Sequence, residues 1–384
     1  MNYLAQHFWN YETNSIDGLA LWNALQPHIE KGELIVNVGQ GERQGLVLVT
    51  YSKTYQYEHN AVAWDPLVQH CRGIIFDAAD TLSPYRIVAL PFSKFFNYGE
   101  GGIHYPAAGA SIKQIFDKED GSLGICFHWH DKWHITTRGS LNSDIGVVGQ
   151  KIFDELVVSE KAVLHPKNTY LFEIIDPICQ IVVKYDRSKL ILLGQRNRQT
   201  GECFYGGNAI PNWPYYSHNR QFNSQEDMLM WLNATKGTEF EGFVVHFSDG
   251  SIFKFKSEDY MRLHRIIAQF TFKRVLEAVQ QGEQEEIRKA LPEELIPEFD
   301  AYVDAINCKV QETVLKVALV VADAPKESRK EFALYLQQFY KGTDVIKFAF
   351  KYADLGYDAS QLKKHVLQSL CKDDFEVAES KEIE

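Results

Sequence analysis

The chain of 384 residues is short of three things that would each point to a class of protein. Its six cysteines, Cys71, Cys126, Cys179, Cys203, Cys308 and Cys371, include no Cys-x-x-Cys pair. That scatter offers neither a zinc ligand set nor a disulfide framework, and reduced thiols are expected. Positive charge is not in excess: 40 Lys and Arg against 51 Asp and Glu leave a formal net charge of −11. Overall charge therefore cannot hold a polyanion, and any such site must be a local basic cleft. Long apolar runs are also missing. No stretch approaches the roughly 20 residues of a membrane span, and residues 1–10 have no basic start leading into an apolar run. These absences predict a cytoplasmic protein without membrane contact. No internal repeat is visible.

The 45% of hydrophobic residues is enough for a real core, and the length suits two domains. Residues 14–30 carry a rough helical spacing, with Asn14 or Ser15 as cap. Strands are expected at 34–38 and 46–51, joined by Gly39-Gln40-Gly41, which lacks the pattern of a phosphate loop. Further strands are expected at 123–130, 133–137, 169–177, 181–185, 190–194, 239–245 and 252–256, with helices at 144–160 and 225–234. Beyond Ser257 the period changes. Leu263, Ile266, Ile267 and Phe270 follow helical spacing, as do Phe299, Tyr302, Val303, Ile306 and Val310. Helices are also expected at 330–340, 344–352 and 360–370. This places a boundary near residue 258, a helical C-terminal domain over 259–371 and an acidic tail over 372–384.

Against that background certain polar residues stand out. Lys118-Glu119-Asp120-Gly121-Ser122 puts a lysine before a strand, where its amine can act as a nucleophile. The plain alternative is an exposed hairpin closed by Asp-Gly. Arg72 leads an apolar strand in Cys71-Arg72-Gly73, and its fork of donors suits phosphate or carboxylate. Lys94 stands among aromatics in Lys94-Phe95-Phe96-Asn97, either snorkelling over a core edge or lying beside a base-stacking phenylalanine. Glu173 sits inside an apolar strand, a costly place for an unpaired carboxylate. Lys254 and Lys256 alternate with Phe253 and Phe255, so both ammonium groups share one face of a strand. His128, His130 and His134 invite a metal reading, but no Cys or carboxylate completes the set.

Arg72, Lys94, Lys118, Glu173, Glu241, Lys254 and Lys256 together supply a nucleophile, several cations and two carboxylates. The inventory fits attack by Lys118 on the α-phosphorus of a nucleoside triphosphate. Neighbouring cations would lower the amine's pKa and stabilise the phosphate oxygens. The carboxylates would hold Mg²⁺ or the ribose.

In this order the stretches resemble the motifs of the covalent nucleotidyltransferases, the ligases and capping enzymes. Lys118-Glu119-Asp120-Gly121-Ser122 is similar to their first motif, Phe172-Glu173 to the third, Glu241-Gly242-Phe243-Val244 to the fourth and Lys254-Phe255-Lys256 to the fifth. Within the group, Cys71-Arg72-Gly73, Lys94-Phe95-Phe96-Asn97 and Leu171-Phe172-Glu173-Ile174-Ile175 most resemble the ATP-dependent RNA ligase of T-even phages, the tRNA-repair type. The resemblance covers roughly residues 45–260.

It implies an α+β fold. An adenylylation domain over 1–258, built on antiparallel sheets with flanking helices, would precede a helical domain that selects RNA. It implies that Lys118 carries AMP, that Glu173 touches the ribose and Glu241 a metal or the nucleotide, and that Lys254 and Lys256 grip the α-phosphate. Arg72 and Lys94 would handle phosphates. Tyr51, with Tyr55 as rival, would lie near the nucleotide, and Arg138 stands where the family can have lysine. Glu119, Asp120, Gly121, Phe96 and Tyr260 would also matter for activity. ATP with Mg²⁺ or Mn²⁺ would be required. The partners would be RNA 5′-phosphate and 3′-hydroxyl ends, notably nicked tRNA, and a separate end-healing kinase or phosphatase. The setting would be a phage-infected cytosol. Two other readings stand beside it: a DNA ligase or GTP-using capping enzyme, and a non-catalytic RNA-binding module on the same fold.

Overall fold

A computed structural model describes residues 3–375 apart from 60–62, 80–81, 83, 101–104, 157–163, 180, 211–212, 270 and 292–294. The chain divides into two compact units, residues 1–264 and 265–384.

The first unit is built on three larger antiparallel sheets. One has four strands in chain order: Leu34–Val38, Leu46–Tyr51, Arg72–Asp77 and Arg86–Ala89. The second has five, in the order Lys132–Thr137, Ser122–Trp129, Asn168–Ile175, Lys189–Asn197, Cys203–Tyr205. The third runs Asn219–Arg220, Ile112–Lys118, Gly242–Phe247, Ile252–Lys256, Phe96–Asn97, and only its last pairing is parallel.

Strand alternation divides Leu46–Tyr51 between two cores. Leu46 and Leu48 pack with Ile75, Leu123, Ile125, Phe127 and Leu171, which joins the first sheet face to face with the second. Val47, Val49 and Tyr51 point the other way, into a core shared with Leu21, Leu25, Leu67 and Trp64. Burial on both faces explains why this strand reads as a continuous apolar run. The helix Asp144–Glu155 covers the far side of the second sheet through Phe153. Gln225–Ala234 covers the third sheet through Met228 and Leu232.

Several expectations are corrected. The helix expected over 14–30 is Gly18–Glu30, because Asp17 caps it by accepting from Ala20 N–H while Ser15–Ile16 pairs with Trp9–Asn10. Residues 181–185 form no strand; the amides of Val182 and Val183 are taken by a side chain instead. The strand expected from 239 starts at Gly242. Lys94 lies on no strand; its backbone N–H donates to Gln69 O at 2.9 Å and its carbonyl accepts from the Gln69 amide at 2.6 Å. The strands Arg86–Ala89 and Ile112–Lys118 and the helix Phe272–Gln281 had no counterpart among the expected elements.

From Glu258 onward the named elements are helices: Glu258–Gln269, Phe272–Gln281, Gln284–Ala290, Ile296–Asp323, Arg329–Tyr340, Val345–Asp354 and Ala359–Ser369, with a 3₁₀ turn at Lys372–Asp374. In the second unit Val310, Val317 and Val321 of the long helix meet Phe332, Leu336, Phe348, Leu362 and Val366. Phe270, residues 157–160 of the expected helix over 144–160, and 376–384 of the expected tail lie outside the described residues. No described helix is long and apolar enough to cross a membrane.

Candidate active site

Lys118 ends the strand Ile112–Lys118, and Ser122 begins Ser122–Trp129, in a different sheet. The Asp-Gly pair therefore closes no hairpin. Ile115 buries into one core while Leu123 and Ile125 bury into another, so the chain must cross between sheets at Glu119, Asp120 and Gly121. The crossing is fastened at each residue. The Asp120 carboxylate accepts from Val182 N–H and Val183 N–H, both at 2.7 Å, and from the Tyr260 hydroxyl at 2.8 Å. Asp120 N–H donates to the Tyr185 hydroxyl at 2.8 Å, and that hydroxyl donates to Glu119 at 3.3 Å. Gly121 N–H donates to Glu173 at 3.2 Å. A Cβ on Gly121 would stand 2.5 Å from the Ile174 carbonyl and 3.1 Å from Glu173 Cγ, so only glycine permits this approach.

Register brings the next groups in. Gly242 faces Lys118 on one neighbouring strand and Lys256 on the other. The preceding residue, Glu241, is 2% exposed and lies between the two amines. Its Oε2 is 2.7 Å from Lys118 Nζ, and its Oε1 is 2.8 Å from Lys256 Nζ. Gly242 is needed because a Cβ there would meet the Phe255 carbonyl at 2.0 Å.

Burial would raise the Glu241 pKa, but Lys118 and Lys256 more than offset it and leave it lowered. Burial likewise pushes Lys118 down, yet Glu241, Glu173 and Asp120 together raise it. This corrects the expectation that neighbouring cations depress the nucleophile's pKa: a carboxylate stands closer to it than they do. Depression falls instead on Lys254, well below the ordinary lysine value, through burial and then Arg72, Lys118, Lys94 and Lys256. Burial lifts Glu173 to about 7 against the pull of Lys118.

Beside this lies a cluster of cations and rings. Lys94 Nζ is 5.3 Å from the centre of the Tyr51 ring, 4.9 Å from Trp64 and 5.2 Å from Phe96. The Arg138 guanidinium is 4.8 Å from the Tyr51 ring. Phe95 lies 5.8 Å from Arg72 and 5.2 Å from Lys254. Burial would raise the Tyr51 pKa, but Arg72, Arg138 and Lys94 together bring it below its ordinary value, Arg72 also by a hydrogen bond. Burial lowers Lys94, with Arg72 and Arg138 adding to it.

The two clusters share Lys254, which feels Lys118 and Lys256 on one side and Arg72 and Lys94 on the other. Lys118, Asp120, Gly121, Glu173, Glu241, Lys254, Lys256, Tyr260, Tyr51, Arg72, Lys94 and Arg138 thus form one continuous set. Tyr55 stands apart from the cations; its hydroxyl accepts from Asp65 N–H at 3.0 Å and its ring stacks on His59. Phe96 is 3% exposed and packs on Trp64, leaving Phe95 as the ring beside Arg72 and Lys254. Glu119 faces Tyr185, and burial, then Asp117, raise its pKa to about 7.

Tyr185, Phe95 and Trp64 were not singled out from the sequence. Phe95 is adjacent to a flagged residue and was legible by proximity. Tyr185 was hidden in an apolar run that resembled a strand. Among the described residues no group of three or more His, Cys, Asp or Glu is disposed to hold a metal ion, so the histidines of 128–134 form no such site. A phosphate-bridged Mg²⁺ asks for only one or two carboxylates, which Glu173 and Glu241 can supply.

A sequence model described as RNA ligase matches residues 70–261, half of the chain. A candidate bifunctional polynucleotide kinase/RNA ligase of Autographa californica nuclear polyhedrosis virus is 26% identical over 66% of this chain, and the chain spans 39% of that relative's length. An RNA ligase of Rhodothermus phage RM378 is 22% identical over 78% of this chain and 85% of its own. Among solved structures, an archaeal ATP-dependent RNA ligase aligns with a TM-score of 0.44 and 11% identity, over 82% of this chain and 85% of that one. The motif-bearing sheets, with Lys118, Glu173, Glu241, Lys254 and Lys256, fall within the matched span, and the chain belongs to the RNA ligase family.

Proposed function

We propose that the protein is an ATP-dependent RNA ligase that works through a lysyl-AMP intermediate on Lys118. The observation that carries this is the Lys118–Glu241–Lys256 triad beside Lys254, Arg72, Lys94 and Arg138. It sets one amine among enough fixed positive charge to hold a triphosphate.

In the first step the Lys118 amine attacks the α-phosphorus, an N–P bond forms and pyrophosphate leaves. Glu241, 2.7 Å from Nζ, accepts the amine's hydrogen bond before the step. The oxygens of the α-phosphate would meet Lys254 and Lys256. In the second step an RNA 5′-phosphate oxygen attacks the same phosphorus; the N–P bond breaks, and AMP passes to the RNA as a 5′–5′ pyrophosphate. In the third the 3′-hydroxyl attacks the RNA phosphorus and AMP departs. Arg72, Lys94 and Arg138 serve the phosphates of these steps, and Tyr51 orients beside them. Mg²⁺ or Mn²⁺, when bound through Glu173 and Glu241, would neutralise phosphate charge.

Residues 259–371 are taken as the helical part that selects RNA, with nicked tRNA as the intended end pair. The viral relative's name pairs a kinase with a ligase, which supports a separate end-healing enzyme as partner here.

Incubation with α-labelled ATP or GTP and Mg²⁺, followed by denaturing electrophoresis, tests the reading. Label from ATP should stay on the protein and vanish in Lys118→Ala and in Lys118→Arg, whose guanidinium remains protonated. Transfer from GTP alone would make it a capping-type enzyme; sealing of nicked DNA in preference to RNA would make it a DNA ligase.

A further inference from the structure

We propose that Tyr185, Arg187, Lys189 and Tyr215 form a track for single-stranded RNA that ends at the nucleophile's crossing. The proposal rests on the RNA ligase reading and names where the strand runs. Within residues 184–189 three cations stand against one carboxylate, in a chain whose net charge is −11. Tyr215 is 37% exposed. Lys189 Nζ lies 5.3 Å from the Tyr185 ring and 5.8 Å from the Tyr215 ring. Arg187 reaches both Asp186, at 3.1 Å, and the Tyr215 hydroxyl. Asp186 also lies 3.8 Å from Lys189, and Asp176 is engaged by Ser188 at 2.6 Å.

The Tyr215 ring is held on a strand-bound segment. Leu192 N–H donates to Tyr215 O and Ser217 N–H to Leu192 O, both at 2.9 Å, clipping the segment to the strand Lys189–Asn197. At its inner end, Tyr185 passes the surface on to the active site through its contacts with Glu119 and Asp120. Aromatic faces alternating with cations are what unpaired bases and their phosphates need, and nothing in the pattern reads sequence.

Anisotropy of a labelled, 5′-phosphorylated RNA of about 12 nucleotides tests this, single-stranded and as a duplex. Tyr215→Ala should weaken single-strand binding about tenfold or more and duplex binding far less. Arg187→Gln should reduce the log–log salt slope by about 0.7, the loss expected for one phosphate contact on a single strand. Label transfer from ATP is measured on the same preparations. Its failure in the wild type removes the ligase reading, while its retention in Tyr215→Ala shows a folded enzyme. Single-strand affinity of Tyr215→Ala within about twofold of wild type, against the tenfold expected, overturns the track. So does an equal loss for single strand and duplex.

Discussion

Glu241 is the residue on which the nucleophile's chemistry turns. It holds the Lys118 ammonium at 2.7 Å, and against burial it acts with Glu173 and Asp120 so that the amine's pKa is raised. A raised lysine pKa leaves less neutral amine near neutrality, and the first step should therefore quicken as pH rises. In Glu241→Gln the largest force holding that proton is gone. The pH profile of single-turnover labelling should move to lower pH, whatever happens to its maximum. An unmoved profile would sever Glu241 from the Lys118 titration.

The two lysines of Ile252–Lys256 differ at this scale: Lys256 is paired with Glu241, whereas Lys254 sits among cations over Phe95. Both should still act on one phosphate. Each alanine variant should lose about two to three orders of magnitude in the first step. The double variant should be little worse than the poorer single one, since groups acting as a unit are not additive. Few-fold losses that multiply would return both to the solvated surface.

At the scale of elements, the crossing from Lys118 to Ser122 is stitched to Asn168–Ile175 through Glu173. The Glu173 carboxyl is raised from an ordinary 4.5 to about 7 by burial, so the folded state holds its proton more tightly than the unfolded chain does. Stability from this group is full below about 4.5 and is lost as pH climbs through about 7. Glu119 has the same sign. Glu173→Gln keeps an acceptor for Gly121 N–H and removes the penalty. It should raise the melting temperature of the ligand-free protein above pH 7 and make little difference near pH 4. An offset independent of pH would refute the account.

Strand periodicity announced most of these elements: 34–38, 46–51 and 252–256 match their expected bounds. It failed at Val182 and Val183, where local apolarity was real but the amides went to Asp120 rather than to a neighbouring strand.

At the scale of the whole molecule, the division after residue 264 separates every residue proposed for nucleotide chemistry from the second unit. A chain ending there should still label itself with ATP if it stays soluble, and should lose its preference for nicked tRNA over an unstructured RNA end. Competition sealing of the two substrates measures it. An unchanged preference would place RNA selection in the first unit.

The sequence by itself determined the alternation that puts Lys254 and Lys256 on one face, the helical period beyond Ser257, and the order of polar residues along the strands. These depend on neighbours a few positions apart, where backbone geometry alone relates one side chain to the next. Only the tertiary structure decided that the Lys118 and Ser122 strands belong to different sheets, that Tyr51 rather than Tyr55 joins the cations, and that Glu241 clamps Lys118. Lys118 and Glu241 are 123 residues apart in the chain. Their meeting depends on a register between strands, fixed by which apolar faces bury together and not by the spacing around either residue.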